Sequence, residues 1–283
     1  ASLVGPMATD ELGRRAALGS RLLPGAAALL ARLPNTPGMV TSIRVLGPLS
    51  VLHDGVASAA PELRRQRVRQ LLELLVLERA VTRDRAMALL WPELTPEAAS
   101  KNLRVTLTHL RKVLEPDRPA GTAGYHVRVD HSSIALHPSD HLHVDAWEAD
   151  ERAWQLDRSN ELVAERDALS RIVGLWRGVP YPDLDELVDL TGTLERVRGR
   201  HVGLLLRLGE LYISAGNAAE AKRLALDVLA VDPYREQAHR LAIAADLRLD
   251  DAAELRRSVA RLSQAMGELG VEARTSTQGL LHR

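Results

Sequence analysis

The chain has 283 residues, a length that suits about two domains. It contains no cysteine, which excludes disulfides, cysteine–zinc sites and thiol nucleophiles, and its formal net charge of zero gives the whole molecule no bias towards nucleic acid. Phenylalanine is absent and aromatic residues make up 3%, so leucine, valine and alanine must form the core, which favours closely packed helices over an aromatic-rich β-sandwich.

The N-terminal segment, residues 1–40, is interpreted as a helical lead followed by a linker. Residues 1–6 are treated as a cloning remnant. Asp10–Leu33 carries leucines at helical spacing, and residues 34–38 (PNTPG) have linker composition. The lead is either the end of a larger upstream module or a strut. Its longest apolar run, Ala26–Ala31, is too short to span a bilayer. We expect no signal peptide, no membrane partner and a cytoplasmic location.

From Ser42 the apolar residues recur at every second position, which predicts short strands. The strands are interrupted at Gly47-Pro48, and His53-Asp54-Gly55 has the composition of a hairpin turn. Three helices are predicted next, over Arg64–Leu77, Arg83–Leu90 and Thr95–Leu114.

The third of these helices has one apolar side and one cationic side. Thr95 is the expected N-cap, and leucines at helical spacing form a buried stripe. The opposite side is cationic and rich in hydrogen-bonding groups: Lys101, Arg104, Thr108, Arg111 and Lys112, flanked by Asn102 and His109. Phosphates are bound by Arg and Lys, and base edges by Arg, Thr, Asn or His, so this side suits a DNA groove. The alternative for the helix alone is a solvated cationic face.

Local charge favours the DNA interpretation. Between Arg64 and Lys112 there are eleven basic and five acidic side chains, an excess of six positive charges, and the rest of the chain carries the matching negative excess. This asymmetry suggests DNA contact in one region and protein contact elsewhere. Arg64 and Arg65, in the first turn of the first helix, are further candidates for phosphate contact.

A β-hairpin is predicted after the helices, because Tyr125–Val129 and Ser133–Leu136 alternate around Asp130-His131-Ser132. This order of elements, a small sheet followed by three helices and a hairpin, is that of a winged helix, whose third helix enters the major groove. We therefore assign residues 41–144 to a winged helix-turn-helix DNA-binding domain.

The remainder, residues 145–283, is predicted to be all α-helical. Helices are expected over Ala146–Leu156, Glu161–Leu175, Thr193–Ser214, Ala218–Ala230, Arg235–Leu249 and Asp251–Leu269. Six residues match the small, aromatic and helix-ending positions of a tetratricopeptide helix pair: Leu208, Gly209, Tyr212, Gly216, Ala221 and Pro233. The predicted fold class is mainly α, with a small β-sheet and winged helix followed by a tetratricopeptide-like domain.

Several phrases, in order, resemble one family, the SARP-type (Streptomyces antibiotic regulatory protein) transcriptional activators. In the first half they are Ser42–Gly55 (SIRVLGPLSVLHDG), Leu71–Pro116 and Gly124-Tyr125. In the second half Leu175–Gly178 (LWRG), Asp232–Glu236 (DPYRE) and Glu268–Glu272 (ELGVE) resemble the bacterial transcriptional activator domain. The resemblance implies an OmpR/PhoB-type winged helix that binds promoter direct repeats in double-stranded DNA and an activator domain that recruits RNA polymerase.

The resemblance also implies roles for individual residues. Arg104, Val105, Thr108 and His109 would face bases, and Lys101, Arg111 and Lys112 would hold phosphates. Tyr125, His126 and Arg128 would place the wing near the backbone, and Trp91, Pro92, Glu93 and Leu94 match the loop that touches polymerase. The sequence departs from the OmpR/PhoB pattern at Thr108 and His109, where that class carries paired arginines. Packing of Trp91 in the core is the alternative to its role in polymerase contact.

Other functions are considered and set aside. His137, Asp140, His141 and His143 have metal-type side chains at short spacing, but a solvated loop leaving the wing is the preferred interpretation, and no metal or cofactor is expected. The sequence has no glycine-rich phosphate loop, nucleophile elbow or HExxH motif, so no enzyme is predicted. The alternatives are a tetratricopeptide-like scaffold whose winged helix does not read DNA, or a ligand-gated regulator. An upstream sensor module, self-association and a nucleoid-associated location are further expectations.

Overall fold

The computed structural model describes residues 37–119, 122–156, 162–272 and Thr277. The predicted lead helix, Asp10–Leu33, lies outside these residues. The described residues fall into two compact units. The first contains the residues up to Glu148 together with Arg177–Gly192, and the second contains Ala149–Trp176 and the residues from Thr193 onward.

The first unit contains all the strands that the structure describes. They are β1 (Thr41–Arg44), β2 (Ser50–His53), β3 (Val56–Ala57), β4 (Ala80–Thr82), β5 (Val127–Val129), β6 (Ser133–Leu136) and β7 (Leu142–Val144). One sheet has the order β3-β2-β1-β7, with β7 parallel to β1 and the other pairs antiparallel. The other sheet has the order β4-β6-β5 and is antiparallel throughout.

Three helices lie between β3 and β5 in sequence, with β4 between the first two: α1 (Gln66–Glu78), α2 (Arg83–Leu90) and α3 (Pro96–Leu114). Their apolar sides are leucine-rich and fully buried, as the lack of phenylalanine requires. Helix α1 begins later than predicted. Pro61 starts a 3-10 helix that ends at Arg64, and Arg65 has an extended backbone, so neither arginine is in the first turn of α1.

The hairpin turn between β2 and β3 is confirmed. Asp54 and Gly55 both have positive φ angles, 47° and 83°, as a two-residue turn between twisted strands requires. The Asp54 carboxylate accepts a hydrogen bond from the Val40 amide at 2.8 Å, which ties the start of the sheet to this turn.

Strand β7 corrects the prediction that residues 137–143 form a solvated loop. Leu142 and Val144 are buried, and the strand pairs with β1. The segment was too short and too rich in histidine to show an alternating pattern, and parallel pairing with a strand a hundred residues earlier leaves no local signal.

Residues 177–192 belong to the first unit, although the sequence analysis placed them in the second domain. The Arg177 amide donates to the Leu46 carbonyl at 2.6 Å, and its guanidinium pairs with Asp145 at 2.9 Å. A Cβ atom at Gly47 would lie 2.9 Å from the Arg177 carbonyl carbon, and Gly47 has a φ of 137°. Position 47 therefore requires glycine, because a side chain there would collide with Arg177.

Helices are the regular secondary structure of the described residues in the second unit. Helix α4 (Asp145–Leu156) extends into it, and the other helices are α5 (Leu162–Val173), α6 (Thr191–Ser214), α7 (Ala218–Val231), α8 (Glu236–Leu249) and α9 (Ala252–Leu269). The boundaries lie within two residues of the predicted ones.

The predicted tetratricopeptide register is confirmed between α6 and α8. Gly209 lies so close to Leu241 that a Cβ atom would come within 2.3 Å of its side chain. Gly216 has a φ of 79° in the turn between α6 and α7, and Ala221 is completely buried. The pair α8–α9 forms without a glycine, because Asp250 itself adopts the left-handed conformation.

A buried ion pair connects α7 to α8. Lys222 Nζ lies 2.6 Å from Asp246 Oδ1 and 2.9 Å from Glu254 Oε2. The Ser258 hydroxyl donates to the other oxygen of Asp246 at 2.7 Å. Because Asp246 is fully buried, these contacts compensate a charge that would otherwise be strongly unfavourable.

Candidate nucleic-acid interface

Helix α3 buries one side and exposes the other, as predicted. Its leucines at 103, 107 and 110 are buried among α1 and α2. The Thr95 side chain accepts a hydrogen bond from the Ala98 amide, and Pro96 occupies the first turn, so the N-cap prediction is also confirmed.

The exposed side of α3 brings together five of the seven DNA-facing residues predicted on this helix, and we call it the recognition face. Its exposed members are Lys101, Arg104, Val105, Thr108 and Lys112. The Thr108 hydroxyl donates to the Arg104 carbonyl at 2.9 Å, and this bond orients the side chain along the helix. Val105 is 50% exposed, which places an apolar group among cations and hydroxyls.

An acidic residue that the sequence analysis did not identify contacts the recognition face. Glu62, in the 3-10 helix before α1, has its Oε1 3.8 Å from Lys112 Nζ and 4.0 Å from His109 Nδ1. The Glu62 and His109 side chains are largely buried. No sequence pattern indicates this contact, because it depends on how the 3-10 helix packs against α3.

The arginines before and within α1 divide into two groups. Arg64 and Arg65 are exposed, as a phosphate contact requires, although they lie before the helix. Arg69 instead binds Asp183 at 2.7 Å, and Arg67 binds Gln70 at 2.7 Å. The latter two arginines have structural partners within the first unit.

The wing is held to the end of α3 by Glu115. Its carboxylate accepts hydrogen bonds from the backbone amides of Tyr125 at 3.0 Å and His126 at 2.8 Å, and lies 3.7 Å from Arg118 Nε. Arg111 is half-buried beside this contact, and burial, followed by repulsion from Arg118, lowers the pKa of its guanidinium. Glu115 therefore fixes where the wing begins relative to the recognition face.

The structure corrects the prediction that His126 approaches DNA. Its side chain is completely buried, and burial, with smaller contributions from His141, His137 and His53, lowers its pKa to about 4. Tyr125 is also buried, and its ring makes edge contacts with the rings of His126, His137 and His141. The sequence alternation correctly predicted the hairpin, but residues 125 and 126 lie at the base of the wing, where they pack.

The outer part of the wing is accessible. Arg128 on β5 and His131 in the turn are exposed. The Asp130 carboxylate accepts hydrogen bonds from the amides of Ser132 and Ser133 and from the Ser133 hydroxyl. These bonds lower the pKa of Asp130 and fix the shape of the turn. Arg128 is thus the predicted wing residue that could reach a backbone.

The loop assigned to polymerase contact leaves α2 in an exposed conformation. Pro92, Glu93 and Leu94 are exposed, and Leu94 is 40% exposed. Trp91 is half-buried, and its amide donates to the Met87 carbonyl at 2.9 Å. The exposed loop presents an apolar and an acidic side chain beside the start of α3.

Two further observations concern the described residues alone. Among them, no three histidines, aspartates or glutamates are arranged to hold a metal ion. Within the same ranges, none of the helices combines the length and apolar character needed to cross a bilayer.

Comparisons with known proteins agree with this architecture. Residues 144–283 match the family model of the bacterial transcriptional activator domain. The regulatory protein AfsR of Streptomyces coelicolor is 28% identical over 251 residues, which cover 84% of this chain and 24% of AfsR. The chain therefore spans about a quarter of the length of this curated relative.

A solved structure of Mycobacterium tuberculosis EmbR, in complex with a low-affinity phosphopeptide, has a similar fold. The TM-score is 0.66 at 20% identity, and the match covers 87% of this chain and 64% of the EmbR chain. At this identity the likeness shows the fold, a winged helix followed by a helical activator domain. The family match therefore identifies residues 144–283 as a bacterial transcriptional activator domain, and the AfsR similarity and this shared architecture support a SARP-type transcriptional activator.

Proposed function

We propose that this chain binds promoter DNA sequence-specifically through its winged helix and recruits RNA polymerase. The observation that carries the proposal is the recognition face, a cationic and hydrogen-bonding surface supported from behind by buried leucines. A helix presented in this way can enter a major groove and contact base edges and phosphates at once. Binding to direct repeats in a nucleoid-associated location is the corresponding expectation.

The residues divide by role according to their exposure. Arg104, Val105 and Thr108 lie along the middle of the recognition face and suit base contact, whereas Lys101 and Lys112 suit phosphates. Arg64, Arg65 and Arg128 are further exposed cations of the first unit. The exposed loop Pro92–Leu94 is the proposed polymerase contact.

Genome-fragment selection with the purified chain, followed by footprinting, tests the proposal. We expect protected half-sites repeated in one direction and an affinity that falls steeply with salt, because phosphate contacts release counterions. Arg104→Ala should weaken binding at the selected site by about 1–3 kcal/mol and affect random DNA less. The matched variant Lys101→Ala should weaken both DNAs by similar factors.

A second candidate is a protein-interaction scaffold, and one feature of the helical unit favours it. A groove of about 270 Å³ between α6 and α8 is lined by Leu206, Ile213, Leu241 and Ala244, with Glu210 and Arg240 also on its wall. Such a groove could hold a partner segment or a small regulatory ligand. If the chain shows no sequence preference in the fragment selection at modest salt, the scaffold becomes the better interpretation.

A further inference from the structure

The contact between Glu62 and the recognition face is unusual for a DNA-binding surface. A carboxylate there repels phosphates, and it partly neutralises the cation at Lys112, which lies 3.8 Å away. The Glu62 side chain is only 16% exposed, so solvent screens its charge less than that of an exposed carboxylate. On electrostatic grounds alone, this residue opposes binding of any DNA.

The same carboxylate lies beside His109. The Nδ1 atom of His109 is buried, has no hydrogen-bond partner and lies 4.0 Å from Glu62. This orientation leaves the Nε2 edge of the ring as the one that could meet a base. A largely buried imidazole loses less rotamer freedom when it binds, so the packing of His109 beside Glu62 favours complexes in which His109 makes a base contact.

We propose that Glu62 is a specificity-determining residue, which lowers affinity for DNA in general while positioning His109 for base contact at the cognate site. The inference rests on the proposed function. Specificity is a difference between two affinities, and it can be increased by weakening the wrong complex as well as by strengthening the right one. The repulsion of phosphates by Glu62 acts on every duplex. The positioning of His109 strengthens binding only at sites where this side chain contacts its cognate base.

Glu62→Gln tests the proposal by removing the charge and keeping the shape. We expect affinity for random duplex DNA to rise about threefold to tenfold at modest salt, with a salt slope steeper by about one unit. Affinity for the site selected by the wild-type protein should rise less or fall, so the ratio of specific to random binding decreases. Asp189→Asn removes the same charge from the 3-10 helix Val188–Leu190 and should change both affinities by less than about twofold.

Variants at His109 separate positioning from simple charge. In a His109→Ala background, Glu62→Gln should raise affinity for the selected site and for random DNA by the same factor. Glu62→Asp keeps the charge and should retain the low affinity for random DNA. Unchanged thermal melting of each variant confirms that the unit remains folded.

Two results would overturn the inference while leaving the proposed function intact. One is an equal change in both affinities for Glu62→Gln in the wild-type background, and the other is behaviour indistinguishable from that of Asp189→Asn. If the wild-type chain binds no duplex DNA at modest salt, the proposed function itself fails, and this inference fails with it.

Discussion

Replacing Glu115 should release the wing from the recognition helix. The carboxylate is nearly buried and accepts hydrogen bonds from two backbone N–H groups, at 3.0 and 2.8 Å, that have no other partner among the described residues. A buried donor left unsatisfied costs about 1–3 kcal/mol. Glu115→Ala should therefore destabilise the first unit by about 2–4 kcal/mol, and Glu115→Gln, which keeps one neutral acceptor oxygen, by about half as much.

Hydrogen exchange followed by mass spectrometry is the assay, because it resolves the two units in one experiment. We expect faster exchange in peptides covering Tyr125–Leu136 and little change in those covering α7 and α8. Asp117→Asn, which neutralises an exposed carboxyl two residues further along, is the control. The reasoning is refuted if Glu115→Ala destabilises the protein by less than about 0.5 kcal/mol and leaves exchange in the wing unchanged.

Three further predictions concern other buried contacts. Burial and the charge of Asp183 raise the pKa of Glu73 to about 8, so the folded state holds a proton that the unfolded chain releases near pH 4.5. The stability of the first unit should fall as the pH rises from 4.5 through 8, by up to about 5 kcal/mol, and Glu73→Gln should flatten this dependence in denaturant titrations. Lys222→Met should lower the stability of the second unit by about 3–5 kcal/mol in thermal unfolding, because Asp246 is left buried and unpaired; a loss under 1 kcal/mol would contradict this. Gly47→Ala should destabilise the first unit by roughly 1–3 kcal/mol through backbone strain, and a melting temperature equal to that of the wild type would argue against the close approach to residue 177.

The sequence predicted the elements well wherever one local pattern determined the outcome. The leucine stripe with the Thr95 cap located α3, and the positive-φ turn at Asp54-Gly55 followed directly from its composition. Gly209 and Gly216 marked the helix pair because close approach and a left-handed turn both require glycine. These features are visible in a few neighbouring residues, in one periodic face or in the spacing of a known repeat.

Contacts between distant segments were not predictable in this way. Alternation along residues 125–129 identified a strand, but not that Tyr125 and His126 belong to its buried base. Glu62 and Glu115 look like ordinary surface acids in the sequence, and their roles arise only when α3 packs against the 3-10 helix and the wing. Strand β7 likewise depends on a parallel partner far along the chain.

The return of residues 177–192 to the first unit has a practical consequence for dissecting this protein. A cut at the family boundary, near residue 144, would remove Asp183 and Leu184 from their positions against α1 and take Arg177 away from Gly47. A fragment ending there would expose apolar surface and leave polar groups of α1 without partners. The polypeptide passes between the units three times, so cleavage at one site cannot yield two intact units. A domain exchange between regulators should therefore transfer both units together.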